Sequence, residues 1–170
     1  MKTLSEFLLE AKDGDYASIK ADISHKIKEA VSKAEFSTGV IPSDELHCTL
    51  CYSIGTSVDH DQINKFLKTL PEKLTGKVSH LTKFDALPKN GERAKDQCTI
   101  VMEVDCSALD DIHRRLKKMG MKHSYDDYRP HVSLVYDIPI KEAEEKMKKL
   151  SKIVSGQTVT FHSPYIQKLR

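Results

Sequence analysis

Apolar positions along this chain recur at two spacings, every second residue or every third to fourth, and the segments so marked succeed one another along the chain. From Tyr16 to Ala21 the residues alternate, with Ala17, Ile19 and Ala21 on one side and Tyr16, Ser18 and Lys20 on the other. That period predicts a strand with one polar face. Asp13-Gly14-Asp15 before it reads as a turn. Ile23, Ile27, Ala30, Val31 and Ala34 then fall at helical spacing, predicting an amphipathic helix to about Ser37 that Thr38-Gly39 ends. Ile63, Phe66, Leu67 and Leu70 mark a second helix, closed by Pro71. Leu74 to Leu87 reads as one long or two short strands, and Cys98 to Asp105 as the most strand-like run of all. Leu109, Ile112, Leu116 and Met119 form the stripe of another helix with Gly120 at its C-cap. A polar, aromatic loop from Met121 to Arg129 follows, expected to overhang whatever lies beside it. Ala143, Met147 and Leu150 mark a short charged helix, and Thr158 to Leu169 a final strand or pair of strands.

Two further strands read alike. One is Leu46-His47-Cys48-Thr49-Leu50-Cys51-Tyr52-Ser53, the other Pro130-His131-Val132-Ser133-Leu134-Val135-Tyr136-Asp137. Each holds a histidine, a spacer, a hydroxyl residue and a leucine, with a tyrosine two positions on. Side chains two apart on a strand share a face. His47 and Thr49 are therefore expected together, as are His131 and Ser133. Two such strands side by side would gather two imidazoles and two hydroxyls in one small space. Strict alternation would send Tyr52 and Tyr136 to the opposite side. Each repeated strand follows a helix, which predicts a duplicated α+β unit with two antiparallel lobes, helices outside and a central cleft.

Composition narrows the class. The 39% hydrophobic and 31% charged residues are those of a globular chain, and 170 residues suit a single domain over 1–170. Residues 1–12, with Leu4, Phe7 and Leu8 at helical spacing, are expected to form an N-terminal helical extension. No apolar run approaches the roughly 18 residues that cross a bilayer, and the N-terminus lacks a secretory pattern. The expected location is the cytoplasm. A net charge of +2 gives no global basic field for a long nucleic acid, though a small anion needs only local donors. Cys48 and Cys51 form a C-x-x-C. On a regular strand the two thiols point to opposite faces and no second pair completes a zinc site, so the expectation is reduced, packed cysteines.

Paired His-x-Thr/Ser strands suit phosphodiester chemistry beside a ribose 2′-hydroxyl. One group must take a proton from the attacking oxygen and another must protonate the leaving oxygen. Histidine, with an unperturbed pKa of about 6.5, serves in both roles near neutral pH. Each well-placed acid or base contributes roughly 10²–10⁴-fold. Hydroxyls beside the imidazoles hydrogen-bond the non-bridging oxygens as charge builds. No carboxylate cluster suited to magnesium stands out, and no cofactor or metal is called for. His25, His60, His80, His113, His123 and His162 lack the pattern and are expected to be solvated or capping, with His123 nearest the second repeated strand.

His47-Cys48-Thr49-Leu50 and His131-Val132-Ser133-Leu134 resemble the two H-x-[T/S]-x motifs of the 2H phosphoesterase superfamily. With Met1-Lys2-Thr3, Glu6-Phe7-Leu8 and Gly14-Asp15-Tyr16-Ala17 in order before them, the chain is similar to the phage anti-CBASS cyclic-oligonucleotide phosphodiesterases within it. The resemblance implies a bilobal 2H fold and metal-independent hydrolysis of 3′,5′-linked cyclic di- and trinucleotides that host bacteria make as antiviral signals. It implies His47 and His131 as the acid–base pair, Thr49 and Ser133 as phosphate-holding hydroxyls, and Tyr16 stacked on a nucleobase. Lys20, on the same predicted face as Tyr16, meets a phosphate or solvent. A cyclic nucleotide is the expected partner, with no long nucleic acid, membrane or protein partner. The host bacterial cytoplasm would be the setting. Two other readings stand beside it: a 2′,3′-cyclic or 2′,5′-phosphodiesterase acting on RNA, and a non-catalytic cyclic-nucleotide sponge.

Overall fold

The computed structural model describes residues 14–55, 57–86, 92, 94–122 and 127–169. The expected N-terminal extension over 1–12, most of the Asp13 turn's lead-in and His123 lie outside them. Six strands and four helices follow one another among the described residues: β1 (Gly14–Ile23), α1 (His25–Lys33), β2 (His47–Ile54), α2 (His60–Leu67), β3 (Lys73–Asp85), β4 (Gln97–Asp105), α3 (Ser107–Lys118), β5 (His131–Pro139), α4 (Ile140–Val154) and β6 (Thr158–Leu169). The predicted turn at Gly14-Asp15 is instead the start of β1, because Asp15 is paired to both Ser53 and Lys168 in the sheet. The segment Leu74 to Asp85 is one long strand.

Helix ends follow local chemistry. The Ser24 hydroxyl accepts the Ile27 amide at 3.3 Å, and the Asp59 carboxylate accepts the amides of Asp61 and Gln62 at 3.0 and 3.2 Å. Each cap satisfies donors that the first turn leaves without a partner. The helices bury the stripes their spacing marks, Ile27 and Ala30 on α1, Ile63, Phe66 and Leu67 on α2, Leu109, Ile112 and Leu116 on α3, Ala143 and Leu150 on α4.

All strand pairings are antiparallel and close into one ring, in the order β1-β2-β5-β4-β3-β6. The two lobes expected as separate sheets are thus joined into a single sheet. A helix with its side chains is about 10 Å across, too wide for the lumen of a six-stranded ring, so the helices lie outside. There α3 packs on β2, α2 on β6, and α4 on β3, β4, β5 and α1. The outward strand face is the core: Ala17, Ile19, Ala21, Cys48, Val132, Ile138 and Phe161 are all at most 1% exposed. The other face looks inward and carries Tyr16, Ser18 and Lys20 from β1.

Candidate functional site

The ring closes where the two repeated strands meet. β2 and β5 pair at one position, Cys48 opposite Val132. Both of those side chains are buried on the core face. An antiparallel register through that pair sets His47 beside Ser133 and Thr49 beside His131, with all four side chains on the inner face. The four residues singled out from sequence are therefore brought together. Proximity has an electrostatic signature: a charge on His47 helps to depress the His131 imidazole.

Both imidazoles are held alike. His47 Nδ1 lies 3.0 Å from the Glu45 carbonyl oxygen, and His131 Nδ1 lies 2.9 Å from that of Arg129. A carbonyl only accepts, so each Nδ1 carries the hydrogen and Nε2 is left as the basic nitrogen. The surroundings of the two rings differ. Lys20 is paired with His47 across β1 and β2, and Glu103 with His131 across β4 and β5. Glu103 is 7% exposed, its carboxylate 2.5 Å from His80 Nε2 and in contact with the Arg129 guanidinium. The Phe84 ring meets His131 edge-on with centroids 4.8 Å apart. Burial pushes the His131 imidazole below the usual histidine range, and the Arg129 carbonyl and the Glu103 carboxylate work against that fall.

Neither repeated strand keeps strict alternation. In β2 the register with β1 jumps from Ala17–Cys51 to Ser18–Thr49, leaving Leu50 as an extra residue. In β5 the register with β4 jumps from Ile100–Val135 to Val101–Ser133, leaving Leu134 extra. Each leucine is a β-bulge three residues after its histidine. A bulge resets the face of everything beyond it. Leu50 and Cys51 both turn to the core, as do Leu134 and Val135. Tyr52 and Tyr136 then return to the inner face, contrary to the alternation expected for them. Tyr52 is paired with Tyr16. Burial raises the Tyr136 phenol, and a hydrogen bond with Ser133 opposes the rise. The phenols of Tyr165 and Tyr136 lie close enough to raise that of Tyr16, after burial as the main cause.

The same bulge corrects the reading of the C-x-x-C. Cys48 is paired with Ile19 and Cys51 with Ala17, so both thiols point to the core rather than to opposite faces. They are reduced and buried. Tyr16, half-buried, and Lys20, exposed, share the inner face of β1 with Ser18 between them. Of the other histidines, His80 joins the Glu103 pair beside the site, and His113 is buried at 5% exposure instead of being solvated. Glu103, Phe84 and Tyr136 were missed from sequence. For Tyr136 a signal existed, since two adjacent apolar residues before each tyrosine, Leu50-Cys51 and Leu134-Val135, already break the alternation.

Fold and site together define a class: an antiparallel α+β ring in which two bulged strands of the same pattern bring paired imidazoles and hydroxyls to its inner face. Comparison with known proteins gives the family. The family model described as anti-CBASS protein Acb1 matches residues 13–169, and the chain belongs to that family. Anti-CBASS protein Acb1 of Acinetobacter phage Ac42 is 28% identical over 136 residues, 79% of this chain and 81% of the relative. That of Vibrio phage KVP40 is 31% identical over 137 residues, 79% and 78% of the two chains. That of Enterobacteria phage T4 is 23% identical over 135 residues, 77% and 79%. The crystal structure of E. coli LigT in apo form aligns with 16% identity and a TM-score of 0.43, covering 76% of this chain and 74% of that one.

Proposed function

We propose that this protein is a phosphodiesterase that hydrolyses 3′,5′-linked cyclic di- and trinucleotides without a metal ion, and so counters CBASS immunity from within the infected bacterium. The observation that carries the reading is the seam at Cys48 and Val132, whose register sets both imidazoles on the inner face, each with Nδ1 committed to a carbonyl, and it supports a role for each Nε2 in proton transfer. Family membership supplies the biological setting, since relatives from three phages bear the name anti-CBASS protein.

In this mechanism the ribose 2′-hydroxyl next to the scissile bond attacks phosphorus. One imidazole Nε2 takes its proton while the other imidazolium gives a proton to the departing 5′-oxygen. The P–O5′ bond breaks, the ring opens and a 2′,3′-cyclic phosphate forms. Water then opens that ring with the two histidines in exchanged roles. Thr49 and Ser133 donate hydrogen bonds to the non-bridging oxygens, where charge grows as phosphorus becomes five-coordinate. The Tyr136 phenol, hydrogen-bonded to Ser133, sits beside the hydroxyl that meets the phosphate. Tyr16 stacks on a base, worth roughly 1–3 kcal/mol per stacked ring, and Lys20 meets a second phosphate at the exposed end of the same face.

The test is incubation, in chelator, with cyclic di- and trinucleotides beside linear 2′,3′-cyclic-phosphate and 2′,5′-linked controls. His47→Ala and His131→Ala are each expected to lose roughly 10²–10⁴-fold in rate. A ring lacking the 2′-hydroxyl should resist cleavage. Turnover of the linear controls alone would assign the protein to RNA processing, and tight binding with no product would make it a sponge.

A further inference from the structure

A single register pair joins β2 to β5, where every other seam of the ring runs through at least five. Yet the proposed reaction needs the two imidazoles at a fixed separation across that seam. Something other than sheet hydrogen bonding must hold it.

The holding groups lie behind β2. The Tyr128 hydroxyl donates to the Thr49 carbonyl at 2.8 Å and sits 3.7 Å from Cys48 Sγ. His113, on α3, donates from Nδ1 to the Leu50 carbonyl at 2.6 Å. The two rings stack with centroids 4.0 Å apart and planes within 5°. Leu50 is the bulge residue, outside the β1–β2 ladder, and its buried carbonyl takes the His113 imidazole as a donor. Tyr128 belongs to the approach to β5. In the same stretch the Arg129 carbonyl holds the His131 ring, and the Pro130 carbonyl accepts the Val104 amide at 2.9 Å. The loop that was expected to overhang the site thus turns at its described end, Tyr128, behind the strand.

We propose that Tyr128, braced by His113, is a positioning residue that latches the His47 strand to the His131 strand and sets the distance between the two imidazoles. It touches no substrate. Its hydroxyl links the approach to β5, three residues before His131, to the backbone of Thr49, two residues after His47. The proposal rests on the hydrolytic reading above for its catalytic consequence, but its structural content does not.

Tyr128→Phe tests it, because phenylalanine keeps the stack on His113 and removes only the donor. Two readouts are taken on the whole protein: kcat and KM on the cyclic dinucleotide, and amide hydrogen exchange at Cys48 and Val132 without ligand. The expected result is a fall in kcat of about tenfold to a hundredfold with KM nearly unchanged, as misplacement by about 1 Å produces, together with faster exchange at the seam. His113→Asn, which retains a donor near the Nδ1 position, should keep most of the activity. Wild-type kcat in Tyr128→Phe, or a loss matched wholly by a rise in KM, would overturn the latch. Unchanged exchange at Cys48 and Val132 would overturn it whatever the activity. Faster exchange in a protein whose wild type turns over no substrate would keep the latch and remove the hydrolytic reading instead.

Discussion

Gly39 offers a sharp test of how the inner face is built. Its φ is +77°, and its carbonyl accepts the Tyr136 amide at 2.8 Å. Val40 bridges Val135, and the Ile41 amide donates to the carbonyl of the bulge residue Leu134 at 2.9 Å. Residues 39–41 thus lie along β5 and satisfy its bulge. A Cβ built on Gly39 would stand 1.8 Å from the Tyr136 carbonyl oxygen, which is backbone and cannot rotate away. Gly156 is the matched control, with φ +79° and nothing within 4 Å of the same added atom. Gly156→Ala should therefore cost only the left-handed penalty, about 1–2 kcal/mol. Gly39→Ala carries that penalty and also pushes the segment off β5. The bond from Tyr136 is lost, worth about 1 kcal/mol, and the Leu134 carbonyl is left unsatisfied at about 1–3 kcal/mol, adding about 2–4 kcal/mol. The total, about 3–6 kcal/mol, is a large share of a typical stability of about 5–15 kcal/mol. Urea unfolding of the two variants and the wild type reads the difference directly as a shift in midpoint at constant slope. Equal losses in Gly39→Ala and Gly156→Ala would refute the argument that close backbone approach, rather than φ alone, demands glycine at position 39.

Tyr136→Phe should reduce kcat by up to about tenfold, the worth of one hydrogen bond at roughly 0.5–1.5 kcal/mol, and should leave unfolding midpoints nearly unchanged. Burial lowers the folded-state pKa of both His113 and His131. Above the unfolded value of about 6.5 neither state takes a proton; below it the unfolded chain does and the folded chain resists, so stability falls as pH drops through that value. Unfolding free energy measured at about pH 7.5 and about pH 5.5 should show this decline, and His113→Asn should flatten it; a stability that rises toward pH 5.5 would contradict it. Burial pushes the Cys48 and Cys51 thiols up to about 11 and about 12. With all four cysteines buried, a thiol reagent should label the folded protein slowly and the urea-unfolded chain fully.

Much of the fold was legible because period carries it. The helical stripes at Ile63, Phe66 and Leu67 or Leu109, Ile112 and Leu116 are single-period patterns, and the observed helices bury those same residues. Helix ends were less legible. The first helix, expected to reach about Ser37, stops at Lys33, and the last runs on to Val154. The first ends just before Glu35 turns left-handed at φ +50°, and the last carries Val154 into the core. Asp15 illustrates the same gap. Its Gly-Asp setting reads as a turn, but its buried carboxylate pairs with His60 at 2.7 Å and accepts the Val58 amide at 3.1 Å, and that requires it to lie in the sheet.

The sequence by itself determined the chemistry on offer: which strands carry an imidazole and a hydroxyl on one side, and that there are two of them. Tertiary structure decided how those groups meet. Strand order and register are long-range facts, so no local pattern could say that Cys48 would pair with Val132 or that the sheet would close there. The bulges at Leu50 and Leu134 turned Tyr52 and Tyr136 inward, since one inserted residue reverses every face beyond it. Glu103 and Phe84 came to His131 from strands far off in the chain, through pairing that periodicity cannot encode. Periodicity says which way a side chain faces only as long as its strand stays regular, and what it faces is settled by partners distant in sequence.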